Sequence, residues 1–362
     1  MKDLVPPSSS ASFAPAVQQH AAPSVEMGIV TTGMAFGERR GVAATAGEYV
    51  PDPEVVSGLG YDSYHRAAHG VTATGLAAEA AREALENADL DIADVDLIIV
   101  GHSDVPEYLG WDSSAAVARA LGAHGTPTVL VTQSCAAWSV ALDHAAGAMA
   151  LSAGTGTVLV ALVNVLSETH TNRMVFNGSV ASDGAVAVVL RRGHPRLRRL
   201  SSARFTNPEY ADLFRIEFGG RAAPVPPAGR SNLDTDPMVA VYRHFGRDPE
   251  RFEGFMKEVN GRLADVVDEA LARAGRDRSQ LTRIIHLNDS RQAIHEAADA
   301  IGIPVERTNA ELARTLGHMG AADQLVCLWQ HIERGELALG DLVALVGVAA
   351  PGMHWFCTLI EV

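Results

Sequence analysis

The feature that most constrains the fold of this chain is a repeated alternation between short β-branched runs and longer runs rich in alanine and leucine. The first kind has the length and composition of buried strands, and the second carries apolar residues at helical spacing. Strands that alternate with helices predict a mostly parallel sheet with helices on both faces. In the first half, the pattern predicts strands over 28–33, 95–100, 128–132, 156–163 and 184–190 and helices over 72–88, 113–121 and 136–151.

The same rhythm returns in the second half. Predicted helices cover 249–274, 290–301 and 321–334, and predicted strands cover 281–287, 342–348 and 354–360. Two βαβ-rich halves indicate an internal structural repeat, visible as rhythm and not as sequence identity. We therefore expect an α/β protein with an N-terminal half over 27–195 and a C-terminal half over 196–362. Residues 1–26, rich in proline, serine and alanine, are expected to form a flexible tail without the features of a signal peptide.

Composition excludes several classes of function. A net charge of −14 disfavours nucleic acid as a partner, because phosphate binding needs a basic face. No apolar run approaches the ~20 residues that span a bilayer. The three cysteines, an odd number without paired spacing, fit a reducing compartment better than a disulfide framework. We expect a cytoplasmic protein that binds neither nucleic acid nor a membrane.

The strongest chemical candidate is Cys135, which lies where a β-branched run ends and a small-residue helical run begins. A thiol on the first turn of a helix faces unpaired backbone N–H groups and the positive end of the helix dipole. Both favour the thiolate, which is the nucleophilic form. The alternative is a buried free cysteine that packs as a small hydrophobe, and this segment alone leaves both open. No metal is expected, because His295, His331 and His354 lack the spacing of metal ligands.

Further motifs follow in a recognisable order. They are the segments Asp112–Ala116, Ser134–Ala137, Ser182–Leu190, His286 after a strand, Leu316–Ala322 and Gly352–Trp355. Their order resembles the β-ketoacyl-acyl-carrier-protein synthase III family of the thiolase superfamily, and the resemblance covers most of the chain from about 28 to 362. The resemblance implies a thiolase-like fold, in which two pseudo-repeated halves form a layered α-β-α-β-α core. It also implies a homodimer that pairs through the strand over 128–132.

The resemblance implies roles for three residues. Cys135 would accept an acyl group from a thioester, and His286 would be the catalytic histidine. His318 occupies the position of the family's asparagine, so the implied catalytic set is Cys135, His286 and His318. One imidazole can donate to a developing enolate or oxyanion, and the other can accept a proton from a hydroxyl or amine. Related elongating ketosynthases use one cysteine and two histidines, so carbon–carbon bond formation stays open.

Other residues are predicted to support this set. Asp289 could orient a histidine or could cap the helix that follows it, and Asn288 is a second supporting candidate. The backbone amides of Cys135 and Gly352 are the predicted oxyanion hole, since Pro351 has no N–H to offer. The family's tryptophan-containing coenzyme A signature has no counterpart in the segment 61–66, where the residues are Tyr-Asp-Ser-Tyr-His-Arg. This departure favours a donor bound to a carrier protein.

A basic segment joins the two halves of this acidic chain. Its arginines could dock an acidic carrier protein, or the segment could be a solvated connector. The candidates are Arg191, Arg192, Arg196, Arg198 and Arg199. The weakly periodic stretch over 207–236 is long enough to be a lid or a wall of a substrate tunnel.

The leading hypothesis is therefore a synthase III-like acyltransferase of natural-product biosynthesis. It would move an acyl group from a carrier-protein or coenzyme A thioester, through Cys135, to a hydroxyl or amine of a small acceptor, and would need no cofactor beyond the thioester substrate. The first alternative is decarboxylative Claisen condensation that primes a polyketide or fatty acid chain. The second is a non-catalytic subunit of a dimer, which would not need a nucleophile at position 135.

Overall fold

The computed structural model describes residues 25–234 and 237–362; the predicted tail lies almost entirely outside these residues. The described chain forms eleven β-strands and ten α-helices. The strands are β1 (Met27–Phe36), β2 (Glu38–Gly41), β3 (Ser63–Arg66), β4 (Leu97–His102), β5 (Thr128–Val131), β6 (Thr157–Asn164), β7 (Gly184–Arg192), β8 (Arg198–Thr206), β9 (Leu281–Ile285), β10 (Leu342–Ala349) and β11 (His354–Glu361). The helices are α1 (Val42–Thr45), α2 (Glu54–Ser57), α3 (Ala73–Asn87), α4 (Ser113–Leu121), α5 (Ala137–Leu151), α6 (Pro237–His244), α7 (Pro249–Arg273), α8 (Arg291–Ile301), α9 (Ala310–Leu316) and α10 (Asp323–Glu333).

Nine of the described strands form one sheet, in the order β5-β4-β6-β7-β1-β8-β11-β10-β9, and β2 pairs with β3 separately. The two halves meet where β1 touches β8, through the pairing of Gly28 with Arg198. The prediction of a mostly parallel sheet is wrong, because only β4–β5, β4–β6 and β9–β10 run parallel. The chain passes from β10 to β11 through a short connection, which allows only antiparallel neighbours, and β1 pairs antiparallel with both β7 and β8.

Helices cover both faces of each half-sheet. Helices α5 and α10 form the central layer, in which Trp138 and Leu142 pack with Leu325 and Leu328 and with strands of both halves. Helix α3, together with α4, covers the outer face of the N-terminal half, and α7 and α8 cover that of the C-terminal half. The layer order is therefore the α-β-α-β-α order that the resemblance implied. No helix of the described chain is both long and apolar enough to cross a membrane.

The sequence pattern missed some elements. Strand β8 contains three arginines and so looks like part of a basic connector, yet it pairs with β11 along nearly its whole length. Helix α9 and the β2–β3 pair were also not predicted, since each has only four to seven residues and too few apolar positions to show a period. Helix α6 lies between the weakly periodic stretch over 207–236 and the predicted helix over 249–274, and it was not predicted.

Candidate active site

The nucleophile candidate lies between β5 and α5. Cys135 is in the one-turn 3-10 helix Ser134–Ala136, so it precedes the first turn of α5 instead of belonging to it as predicted. Only 4% of its surface is exposed, and it packs against Leu287, Ala349 and Phe356 of the C-terminal half. The cysteine therefore stands where the two halves of the fold meet.

A hydrogen-bonded chain of three residues begins at this sulfur. Cys135 Sγ is 3.4 Å from His318 Nε2, and His318 Nδ1 is 2.6 Å from Asp323 Oδ2. A carboxylate accepts hydrogen bonds only, so Nδ1 carries a proton and a neutral His318 presents the Nε2 lone pair to the thiol. This is the arrangement of a nucleophile, a base and a group that orients the base.

Asp323 was not predicted, although it anchors the whole arrangement. Its carboxylate is fully buried, and it also accepts hydrogen bonds from the backbone N–H groups of Met319 (2.6 Å) and Asn288 (2.8 Å). An aspartate five residues after His318 at the start of a helical run looks like an ordinary helix N-terminal acid. Only the return of the chain toward Cys135 shows that it faces the histidine.

The charge of Asp323 controls the proton affinity of His318. Burial by itself lowers the pKa of His318, but Asp323 and the Cys135 sulfur raise it by more, so the net shift is well above the ordinary value of 6.5. His318 can therefore take and hold a proton next to the nucleophile. An asparagine at this position could only donate or accept hydrogen bonds.

The second predicted histidine stands beside the first. His286 follows the last residue of β9, and its Nδ1 lies 3.1 Å from the Leu287 carbonyl oxygen and 3.4 Å from Asp289 Oδ2. Both partners accept, so Nδ1 carries the proton and Nε2 is left as the acceptor of a neutral ring. Asp289 Oδ1 is 4.0 Å from His318 Nδ1, which places this carboxylate between the two histidines.

The structure distinguishes between the two predicted roles of Asp289, which were to orient a histidine or to cap a helix. The side chain of Ser290, not that of Asp289, caps α8 by accepting from the N–H of Ala293. Asp289 instead accepts a hydrogen bond from Ser179 Oγ at 3.2 Å and faces His286. The capping alternative is therefore wrong, and the geometry is that of a residue that can orient a histidine.

The loop that carries His318 depends on a glycine. Gly320 has φ +58°, and a Cβ on it would stand 2.2 Å from Ser103 Oγ and 3.5 Å from Asn164 Oδ1. The Ser103 hydroxyl accepts the N–H of Ala321 at 2.9 Å, and the Ser103 carbonyl lies 3.5 Å from Ser134 Oγ. A side chain at position 320 would push the His318 loop away from the segment that carries the nucleophile.

A cavity of about 1440 Å³ lies beside this cluster, although Cys135, His286 and His318 are not among the residues that line it. Its wall includes Ser134, next to the nucleophile, and Phe176, whose ring stacks on His318 with centroids 5.6 Å apart. The stretch over 207–236 supplies Leu213, Phe214 and Phe218 to the same wall. The prediction that this stretch shapes a substrate tunnel thus agrees with where its described residues lie.

An ion-pair network fixes the loop that carries Phe176. Arg173 is buried and contacts Asp183 at 3.0 Å and Glu168 at 2.8 Å, and Arg66 contacts Glu168 at 2.7 Å. Burial raises the pKa of Glu168, but the two arginines lower it by more, to about 2. The negative charge of Glu168 thus stabilises the folded loop.

The five arginines of the connector do not lie near the nucleophile. They cluster at the end of β7 that pairs with Thr157, whereas the other end of β6, at Asn164, adjoins Gly320. The eight residues of β6 span roughly 23 Å at 3.3 Å per residue. The carrier-docking prediction for these arginines is therefore not supported by their position.

Three of these arginines also form hydrogen bonds or ion pairs with other residues of the chain. Arg192 donates to the carbonyls of Ser152 and Thr155 at 2.8 Å, just beyond the C-terminal end of α5. Arg199 pairs with Asp143 at 2.6 Å. Arg198 pairs with Glu361, while Arg191 and Arg196 lie in or beside the turn that joins β7 to β8.

Gly352 remains a predicted oxyanion donor. The loop that contains it joins β10 to β11, where Ala349 packs against Cys135 and where Ala350 and Pro351 line the cavity beside Ser134.

In the described residues, no group of three histidine, cysteine or acidic side chains could hold a metal ion.

Comparison with known proteins agrees with this fold. The family model for "3-Oxoacyl-[acyl-carrier-protein (ACP)] synthase III C terminal" matches residues 271–362. Beta-ketoacyl-[acyl-carrier-protein] synthase III of Rubrobacter xylanophilus is 30% identical over 295 residues, which are 82% of this chain and 85% of that protein. The enzyme of the same name from Rhodobacter capsulatus is 28% identical over 313 residues, 84% of this chain and 88% of that protein.

Among solved structures, the acyltransferase ChlB3 superposes with a TM-score of 0.81 at 26% identity, covering 93% of this chain and 98% of that one. A layered α/β fold of this kind, with a buried cysteine between its halves, defines an enzyme of the thiolase superfamily. Within that superfamily, the chain belongs to the β-ketoacyl-[acyl-carrier-protein] synthase III family.

Replacement of Asp323 by asparagine tests the orienting carboxylate. In Asp323→Asn, the amide nitrogen would face donors, and His318 would turn its protonated nitrogen toward the thiol. We expect acyl-enzyme formation to slow by about 10³–10⁴-fold, the size of the loss when a triad carboxylate is replaced in this way. Quenched-flow intact mass spectrometry measures this rate.

The pKa of His318 should also fall in Asp323→Asn, because the charge that raises it is gone. Histidine NMR titration checks this shift. Asp62→Asn, an exposed aspartate paired with Arg314, is the control and should keep the wild-type rate. An Asp323→Asn enzyme with the wild-type acylation rate would contradict the orienting role.

The depressed pKa of Glu168 predicts an acid-dependent loss of stability. A carboxylate whose folded pKa is about 2 against an ordinary 4.5 stabilises the fold above pH 4.5, and this contribution disappears as the pH falls toward 2. Glu168→Gln should therefore lower the free energy of unfolding by about 2 kcal/mol at pH 7 and by little near pH 2, after allowance for partial exposure. Urea titrations between pH 7 and 2.5 measure the difference, with the exposed Glu86→Gln as control. A difference that does not vary with pH would rule out the charge as its cause.

Proposed function

We propose that this protein transfers an acyl group from a carrier-bound thioester, through an acyl-enzyme on Cys135, to a hydroxyl or amine of a small acceptor in natural-product biosynthesis. The observation that carries the proposal is the Cys135–His318–Asp323 chain. It puts a proton acceptor at the place where the resemblance expected an asparagine. Transfer to a heteroatom requires proton movement in both half-reactions, and this site holds two histidines able to move them.

In the first half-reaction, His318 Nε2 takes the proton of the Cys135 thiol. The thiolate attacks the thioester carbonyl, the new carbon–sulfur bond to Cys135 forms, and the bond to the donor sulfur breaks. His318 then gives its proton to the departing thiolate. The backbone amides of Cys135 and Gly352 are the proposed donors to the oxyanion.

In the second half-reaction, the acceptor attacks the acyl-enzyme. His286 is the proposed base, because its Nδ1–H is held by Leu287 and Asp289 and its Nε2 is left to accept a proton. The acyl carbon bonds to the acceptor oxygen or nitrogen, the bond to Cys135 breaks, and the acceptor's proton ends on the cysteine sulfur. No net proton is released when the acceptor is a hydroxyl.

The cavity supports a neutral second substrate. Its volume of about 1440 Å³ exceeds the 300–1,000 Å³ of most small-ligand pockets, which leaves room for a pantetheine arm and an acceptor together. Its two arginines are already neutralised, since Arg215 pairs with Asp212 and Glu217. Arg230 likewise pairs with Asp234.

Among the described residues of the cavity wall, these are the only arginines, and lysine is absent. A malonyl carboxylate would therefore meet no arginine or lysine in that described wall that lacks an ion-pair partner. This favours acyl transfer over decarboxylative condensation, which consumes a malonyl donor. The similarity to ChlB3, a protein named as an acyltransferase, points the same way.

Decarboxylative condensation remains the second candidate, because the curated relatives are named as β-ketoacyl synthases. A pair of histidines can also stabilise an enolate when protonated. The silent-subunit alternative has less support, since the nucleophile, base and orienting carboxylate are in hydrogen-bonding contact.

An acyl-loading and chase experiment tests the proposal. Wild type and Cys135→Ala are incubated with a panel of acyl thioesters, followed by intact mass spectrometry. We expect an acyl adduct on wild type alone, and its loss when amines or alcohols are added, with an ester or amide as product. Release of carbon dioxide and a β-ketoacyl product with malonyl-carrier protein would instead select condensation. If no donor gave an adduct, the result would favour the alternative of a non-catalytic subunit.

We also propose that the carrier protein docks on a surface other than the arginine-rich connector. Arg243, Arg247 and Arg251 lie at the corner between α6 and α7, and they are exposed and make no ion pair with described residues. Helix α6 also supplies Val241 and His244 to the cavity wall. This α6–α7 corner thus offers free positive charge next to the tunnel, where an acidic carrier could present its thioester.

Charge reversal distinguishes the two surfaces. Arg247→Glu and Arg251→Glu together should lower kcat/KM for a carrier-bound thioester by about 10-fold or more at low salt, with little effect on a free pantetheine thioester. Arg191→Glu with Arg196→Glu is the matched control and should change neither rate. Steady-state kinetics at two salt concentrations measure both. If only the control pair lowered kcat/KM for the carrier-bound thioester, the connector would be the docking surface instead.

A further inference from the structure

We infer that Asn309 is a positioning residue for His286, and that it acts mainly on the second half-reaction; the kinetic part of this inference rests on the proposed function. Asn309 lies directly before α9 and is fully buried. Asparagine at such a place commonly caps the helix with its side chain. Here it makes no capping hydrogen bond, and Thr308 Oγ1 accepts the N–H of Ala310 instead.

The side chain of Asn309 forms hydrogen bonds with the backbone of His286 instead. Its Oδ1 accepts the His286 N–H at 2.8 Å, and its Nδ2 donates to the His286 carbonyl at 2.9 Å. Both backbone groups of the proposed base are thus held by one amide, in the way that a neighbouring strand would hold them. The amide also fixes the position from which the imidazole projects.

The location of His286 explains why such a clamp is needed. It follows Ile285 at the end of β9, and β9 is an edge strand whose one strand partner is β10. Without Asn309, the buried N–H and C=O of His286 would lack partners on the open side of the sheet, which is unfavourable for buried polar groups. Asn309 satisfies both groups without adding a strand.

The same amide links the two histidine segments. Asn309 Nδ2 donates to Asn288 Oδ1 at 2.8 Å, and Asn288 in turn donates to the Gly317 carbonyl at 3.0 Å and to Asp323. Burial raises the pKa of the Cys327 thiol, which stays protonated and donates to Asn288 Oδ1 at 3.2 Å. The direct effect of Asn309 falls on His286, while Asp323 keeps its bonds to His318 and Met319 without it.

Half-reaction kinetics of Asn309→Ser and Asn309→Ala test this inference. Serine keeps a short polar group but cannot bridge the N–H and C=O together. We expect transfer from the acyl-enzyme to the acceptor to slow by about 10–100-fold, because a displacement of about 1 Å at a catalytic group has effects of this size. The rate of acyl-enzyme formation and the KM for the acceptor should stay at wild-type values.

A structural readout accompanies the kinetics. Histidine-labelled NMR should show a shifted or broadened His286 ring signal in Asn309→Ser and an unchanged His318 signal. Asn87→Ser is the control, since its amide donates to the Thr32 carbonyl in the other half of the fold. It should alter neither histidine signal and neither rate.

The outcomes separate this inference from the proposed function. Equal loss in both half-reactions, or no loss in either, overturns the positioning role of Asn309. If wild type forms no acyl-enzyme, the proposed function fails, and the His286 signal then decides the inference. An unchanged signal in both Asn309 variants overturns it, and a changed signal confined to His286 supports it.

Discussion

The active site depends on one buried carboxylate. Asp323 is fully buried and accepts hydrogen bonds from His318, Met319 and Asn288. An isolated charge in such a place would cost several kcal/mol, and these three hydrogen bonds offset that cost. In return, its charge raises the pKa of His318 and holds the ring with Nε2 toward the Cys135 sulfur. Removing any of these donors would weaken the alignment of His318 with the Cys135 sulfur.

The fold supplies these donors from distant parts of the chain. Cys135 follows an N-terminal strand, whereas His286 and His318 follow elements of the C-terminal half. They meet because the central layer of α5 and α10 is packed between both half-sheets. Asn309 and Asp289 then act on His286, as Asp323 acts on His318. Each histidine thus has its own carboxylate, which suits a reaction with two separate proton transfers.

Most helices and strands could be predicted because their apolar periods are strong. The helices over 113–121 and 321–334 were predicted with nearly the observed bounds. Strand β8 was missed, since its arginines reach internal carboxylates such as Asp143 and so mask a buried strand. The docking prediction for the connector arginines stays untested, but the sequence could not show that Arg198 and Arg199 already have carboxylate partners within the chain.

The sequence by itself determined the layered α/β class, the nucleophile candidate and the two histidines, because residue type, local period and motif order are properties of the chain alone. The fold class is confirmed by the structure and by its relatives. Only the tertiary structure decided which carboxylate serves which histidine and that Ser290, not Asp289, caps α8. It also showed that Asn309 binds a backbone more than 20 residues away. Hydrogen-bond partners of this kind depend on directions and distances across the packed layers, and these are set when the two halves close around their shared core.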